Sequence, residues 1–100
     1  MTDYSKNELQ AIHSSSRRLN RLVKKDHEQA LLKMMQEHIK EIKARHAKGD
    51  EHYLIETGDL IVLCLELIKE AKASVDETLF KCYPRFHNKL QQLIKEEKSL

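Results

Sequence analysis

Glycine and proline are scarce in this chain, with two glycines and one proline in 100 residues. That leaves little material for sheets or long loops and points to a single, mostly helical domain over residues 1–100. Long apolar runs are missing as well. The longest, Leu60 to Leu65, falls far short of the roughly 20 residues that a membrane helix needs. The polar N-terminus has no apolar stretch of the signal-peptide kind, so the expected setting is cytoplasmic, with no membrane partner. Cysteine is rare too: Cys64 lies in the apolar run and Cys82 on a second apolar face. Neither has C-x-x-C or His/Cys metal spacing around it, and both read as reduced core thiols.

A large charge of one sign is also absent. The formal net charge is +2, although 34% of residues are charged, and this is too little to imply nucleic-acid binding. Basic residues do cluster at Arg17, Arg18, Arg21, Lys24 and Lys25, after the serine run Ser14 to Ser16. The patch lacks the interleaved aromatics that stack on exposed bases. It reads better as a solvated basic face docking a neighbour's acidic one, and nucleic acid is not an expected partner.

What the chain does contain is helical punctuation. Ser5 with Glu8, Asp26 with Gln29, and Ser74 with Glu77 each have the spacing of a capping box, in which two side chains satisfy otherwise unpaired N–H groups. Gly49 followed by Asp50 supplies a stop and a start. Four helices follow, at about 6–25, 27–47, 51–72 and 75–97. The first carries Leu9, Ile12, Leu19, Leu22 and Val23 on one side, and the second Leu31, Met34, Met35, His38, Ile39 and Ile42. The third is apolar around most of its circumference, from Leu54 and Ile55 to Leu67 and Ile68, and belongs at the centre or at an interface. The fourth presents Val75, Leu79, Cys82, Phe86, Leu90 and Leu93, with Pro84 removing a backbone donor and bending it. The expected fold class is all-α: a four-helix bundle-like protomer with a central antiparallel hairpin, oligomeric because so short a chain buries a modest core.

Only Lys48, Gly49 and Asp50 separate the second and third helices, which must therefore fold back on each other. At about 1.5 Å per residue, Glu41, Glu56 and Asp59 share one level of that hairpin, with His38 a turn further along. On a helical projection Glu37 lies just beyond the edge of the second helix's apolar stripe, and Glu56, Asp59, Glu66 and Glu70 form one strip of the third. Carboxylates at this density on a helix that calls for burial need water or a cation, and hard oxygen ligands suit Mg²⁺ or Mn²⁺. The plainer alternative makes the strip the solvent face of the third helix and His38 a hydrogen-bonded core histidine.

These residues resemble a known family. Glu56-Thr57-Gly58-Asp59 followed by the apolar Leu60 to Leu63, and His38-Ile39-Lys40-Glu41 fourteen residues before Glu56, are similar to the E-x-x-E and E-x-x-D pair of the MazG-like all-α nucleoside triphosphate pyrophosphohydrolases. Val75 to Leu79 resembles the family's acidic helix start, and Tyr83-Pro84-Arg85-Phe86 stands where the family has N-x-K-F or N-x-x-F. The resemblance spans about 27–94, and differs in placing His38 where the family has glutamate and Tyr83 where it has asparagine. It implies a metal-dependent hydrolase that cleaves an NTP or dNTP to the monophosphate and pyrophosphate. Glu41 and Glu56 would be catalytic. Glu41, Glu56 and Asp59, with Glu37 or His38, would hold Mg²⁺ or Mn²⁺, and Arg85 and Lys89 would contact phosphate. The protein would act as a homodimer or homotetramer. The alternative keeps the fold without the chemistry, as a nucleotide sensor or helical interaction module.

Overall fold

The computed structural model describes residues 6–98, so the predicted cap at Ser5 lies outside the described residues. Four helices follow one another: α1 (Lys6–Leu22), α2 (His27–Ala47), α3 (Tyr53–Glu70) and α4 (Val75–Lys98). Two of the starts obey the predicted caps, whereas α3 begins at Tyr53 with His52 at its N-cap and no side-chain bond there, not directly after Asp50. The Asp26 carboxylate accepts the Gln29 N–H at 3.0 Å and the Ser74 hydroxyl accepts that of Glu77 at 3.1 Å. The first and third helices are shorter than the sequence suggested, because each ends in a turn with one residue at positive φ: Lys24 at 56° and Lys72 at 59°. In both, as at Gly49 (73°) after α2, paired backbone bonds close the end in a Schellman arrangement. After α2, for instance, Asp50 N–H donates to Arg45 O and Gly49 N–H to His46 O.

The Gly49 turn makes α2 and α3 an antiparallel hairpin. Arg45 meets Asp50 next to the turn, His38 meets Glu56 and Asp59 at mid-length, and His27 meets Glu70 at the far end. α3 is central, packing against each of the other three helices, whereas α4 packs against α3 alone. α4 runs unbroken through Pro84, and every residue from Tyr83 to Lys98 is exposed. The protomer is consequently extended, with a radius of gyration of 16.7 Å against about 13 Å for a compact domain of this length.

The faces that turn inward differ from those expected on apolar periodicity. α1 buries Leu9, His13 and Asn20 and leaves Ile12, Leu19, Leu22 and Val23 exposed. α3 buries Leu63 and Glu66, while Leu54, Ile55 and Ile61 are 57–59% exposed. Glu56, Glu66 and Glu70 of the acidic strip thus turn inward, against the solvent-face reading, whereas Asp59 stays exposed. Leu31 of α2, wholly buried, is the centre of a small apolar core with Leu9, Leu63 and Val75. The cysteines are unbridged and half-buried, and burial pushes the Cys64 thiol above its ordinary value.

Candidate metal centre

Two groups of histidine and carboxylate side chains, one near each end of α3, bring metal-ligand atoms together: His38, Glu56 and Asp59, and His13, His27 and Glu70. Both have the donor chemistry to bind a divalent metal.

The first lies at mid-hairpin, where His38 takes the position opposite Glu56 and Asp59 that the sequence reading gave to Glu41. His38 Nε2 is 3.5 Å from Glu56 Oε2 and 3.6 Å from Asp59 Oδ2. Glu56 and Asp59 reach the same point because residues three apart on a helix share a face. The opposite ring nitrogen, His38 Nδ1, lies 2.8 Å from the Met34 carbonyl one turn back. A carbonyl can only accept, so Nδ1 carries the proton, and in the neutral ring Nε2 presents its lone pair to both carboxylates. A lone pair and two carboxylate oxygens converging in this way can hold a divalent ion between them. A backbone carbonyl that fixes the tautomer is the usual outer-shell support for a histidine ligand. The donors also fit a tetrahedral or octahedral divalent ion in spacing. One nitrogen and two oxygens form a mixed set that suits Mn²⁺ and related ions better than the all-oxygen set Mg²⁺ favours.

Other predicted site residues lie elsewhere. Glu41 is turned towards the next helical turn, where Arg45 Nε lies 3.3 Å from its carboxylate. Arg45 also holds Asp50 at 2.9 Å. Glu37 is exposed and lines a groove between α1 and α2 with Asp26, Lys33 and Met34. Arg85 and Lys89 are exposed on α4, where with Cys82 and Phe86 they border a shallow groove of about 330 Å³. Among the described residues neither cation is ion-paired with His38, Glu56 or Asp59, whose partners are one another and His52.

The sequence reading passed over His52, whose Nε2 is 3.6 Å from Glu56 Oε1. The i,i+4 spacing of His52 and Glu56 across the start of α3 was the available signal. His13 and His27 were passed over as well. Nothing in their immediate surroundings marks them as ligands, since they come together with Glu70 only when three helices are assembled.

No protein-family model, no curated protein and no solved structure matches the chain.

Proposed function

We propose that the His38–Glu56–Asp59 group is the divalent-metal site of a nucleotide pyrophosphohydrolase, cleaving an NTP or dNTP to the monophosphate and pyrophosphate. The observation that carries this reading is the convergence of Nε2, Oε2 and Oδ2 at 3.5 and 3.6 Å around a histidine whose other nitrogen is tied to Met34 O. The E-x-x-D of Glu56 and Asp59 is the part of the sequence that resembles the MazG-like enzymes. Mg²⁺ or Mn²⁺ there would neutralise triphosphate charge and make a water nucleophilic at neutral pH.

The side chains have separable tasks. His38, Glu56 and Asp59 hold the ion, and His52 supports the second oxygen of Glu56. Glu41 becomes available as a catalytic carboxylate when Arg45 is drawn wholly to Asp50, its partner at 2.9 Å. Arg85, whose planar fork suits phosphate, and Lys89 act from a neighbouring copy of the chain. The exposed aromatic and aliphatic residues Phe80, Tyr83, Phe86, Leu90, Leu93 and Ile94 of α4 form a face too large and apolar to be left in water. In this reading the working unit is a homodimer or homotetramer in the cytoplasm, where its nucleotide substrates are found.

A second reading keeps nucleotide binding without turnover. It is favoured by the engagement of Glu41 with Arg45 and by histidine in place of a glutamate ligand. Incubation with a panel of NTPs and dNTPs and either Mg²⁺ or Mn²⁺, followed by pyrophosphate detection, separates the two. Turnover that Glu56→Gln abolishes establishes the hydrolase. Nucleotide binding without pyrophosphate release establishes the sensor.

A further inference from the structure

The second histidine–carboxylate group is better enclosed than the first. His13 comes from the middle of α1, His27 is the first residue of α2, and Glu70 is the last of α3. Glu70 Oε2 is 3.5 Å from His13 Nε2 and 3.7 Å from His27 Nε2, and the three ligand atoms all lie within 4.8 Å of one another. A tetrahedral ion with bonds of about 2.0–2.1 Å sets its donors about 3.3–3.4 Å apart, so the group is slightly wider than a bound state and closes by side-chain adjustment alone.

Burial gives an independent indication. Glu66, one turn before Glu70, is only 3% exposed, and its Oε1 is buried without a hydrogen-bond partner. Its nearest recorded polar neighbour, at 3.9 Å, is His13 Nδ1, which is likewise buried and unpartnered. His27 Nε2, the atom that faces Glu70, is also buried without a hydrogen bond. Buried polar atoms without a partner are costly; the one at His27 Nε2 faces the Glu70 oxygen where an ion would satisfy it, while Glu66 Oε1 and His13 Nδ1 face each other behind the His13 ring.

We infer that His13, His27 and Glu70 form a second, structural metal site, selective for Zn²⁺ or a similar first-row ion, that clamps α1 onto the α2–α3 hairpin. Two imidazole nitrogens and one carboxylate are a common zinc donor set, whereas Mg²⁺ sheds its water reluctantly and suits oxygen. The outer shell is in place. Glu66 is positioned to accept a proton from His13 Nδ1, and the Asn20 side-chain amide lies 2.8 Å from His27 Nδ1. As placed it is the Asn20 Nδ2 nitrogen that faces Nδ1; metal binding at Nε2 calls for the amide to turn over, so that its oxygen accepts from Nδ1–H, the kind of partner that orients ligating histidines. Arg17 is the competitor, with Nη1 2.8 Å from Glu70 Oε2. Its side chain is about half exposed and can leave for water when an ion takes the oxygen. The requirement for this clamp lies in α1, whose exposed Ile12, Leu19 and Leu22 show how little of its apolar surface holds it to the hairpin.

The test uses Co²⁺ as a spectroscopic probe and Zn²⁺ as its competitor, without nucleotide, in full-length His38→Gln protein so that the mid-hairpin site does not contribute. Expected are visible d–d bands of a four-coordinate ion, their displacement by Zn²⁺, and a rise in thermal midpoint with Zn²⁺. His27→Gln should weaken binding at least tenfold, and Glu66→Gln by roughly 10–100-fold as an outer-shell partner. Arg17→Ala should tighten it several-fold, an outcome that misfolding cannot imitate. Absence of the bands in helical His38→Gln protein, bands unaffected by His27→Gln, or unchanged or weaker binding in Arg17→Ala overturns the site. Because no nucleotide is present, failure here leaves the pyrophosphohydrolase reading untouched, and failure of that reading leaves the clamp.

Discussion

At the Tyr53 end of α3, His38, Glu56 and Asp59 meet with the Asp59 side chain 56% exposed; at the Glu70 end, His13, His27 and Glu70 meet with side chains only 10–14% exposed. The two groups have similar donors and similar spacing, yet their surroundings suit them to different work. The mid-hairpin group is open to solvent on its Asp59 side. The far group is drawn from three helices, has its side chains mostly buried, and is neutralised in part by Arg17. Donor geometry marks where an ion can bind, and exposure is what assigns the open group to the proposed chemistry and the closed one to the proposed clamp.

The largest expected effect breaks this comparison if it fails. Glu56→Gln should lower pyrophosphate release by at least about 100-fold, beyond the range for outer-shell partners, and leave the unfolding midpoint nearly unchanged. His13→Gln should do the reverse, leaving turnover per folded molecule within about twofold while lowering the unfolding midpoint in Zn²⁺. Equal losses of activity in both variants would mean that the two groups act as one site.

Core substitutions sharpen the same contrast on the scale of stability. Leu31→Ala, at the wholly buried position nearest the closed group, should cost about 2–5 kcal/mol in chemical denaturation. Ile42→Ala, on the half-buried stretch beside the open group, should cost visibly less. Glu66→Leu should stabilise the metal-free protein by about 1–3 kcal/mol, because an unsatisfied buried carboxylate is replaced by an apolar group of similar size. The same variant should lose most of its stabilisation by Zn²⁺, so that its advantage over the native chain disappears when the ion is added.

The sequence was legible where the physics is local and silent where it is not. Asp26 and Ser74 cap the helices they were expected to cap, and the short Gly49 turn led directly to the hairpin, though its register was read one turn out, with Glu41 rather than His38 facing Glu56 and Asp59. The inward faces of α1 and α3 were not legible. Apolar periodicity identifies a face that avoids water but does not say whether it meets the same chain or another copy. On α3 the outward Leu54, Ile55 and Ile61 carry the apolar signal, while the inward Glu56, Glu66 and Glu70 read as a solvent strip until their histidine partners are placed. The engagement of Glu41 by Arg45 was also out of reach: the i,i+4 spacing was visible, but not the Asp50 carboxylate that holds Arg45 in place.

The turns that bracket the two groups differ in one residue type, and this yields the smaller effects. The left-handed position is Gly49 beside the open group, but Lys24 and Lys72 beside the closed one. Side chains in this conformation cost roughly 1–2 kcal/mol that glycine avoids. Gly49→Ala should therefore destabilise by about 1 kcal/mol, all of it from the backbone, since nothing lies within 4 Å of the added Cβ. Lys24→Gly and Lys72→Gly should each be stabilising by up to about 1 kcal/mol, offset in part by the added freedom of the unfolded chain. The smallest effect belongs to pH at Asp50. The His52 N–H, with Arg45 beside it, holds this carboxyl below its ordinary value of 3.8. A depressed folded-state pKa gives stability that is full above the unfolded value and lost as pH falls through the folded one. Between roughly pH 5 and pH 2, the native hairpin should thus lose more amide protection at the Gly49 turn than Asp50→Asn does. Equal losses would show that Arg45 and His52 do not select the charged form, and that Arg45 is as free to serve Glu41 as it is to serve Asp50.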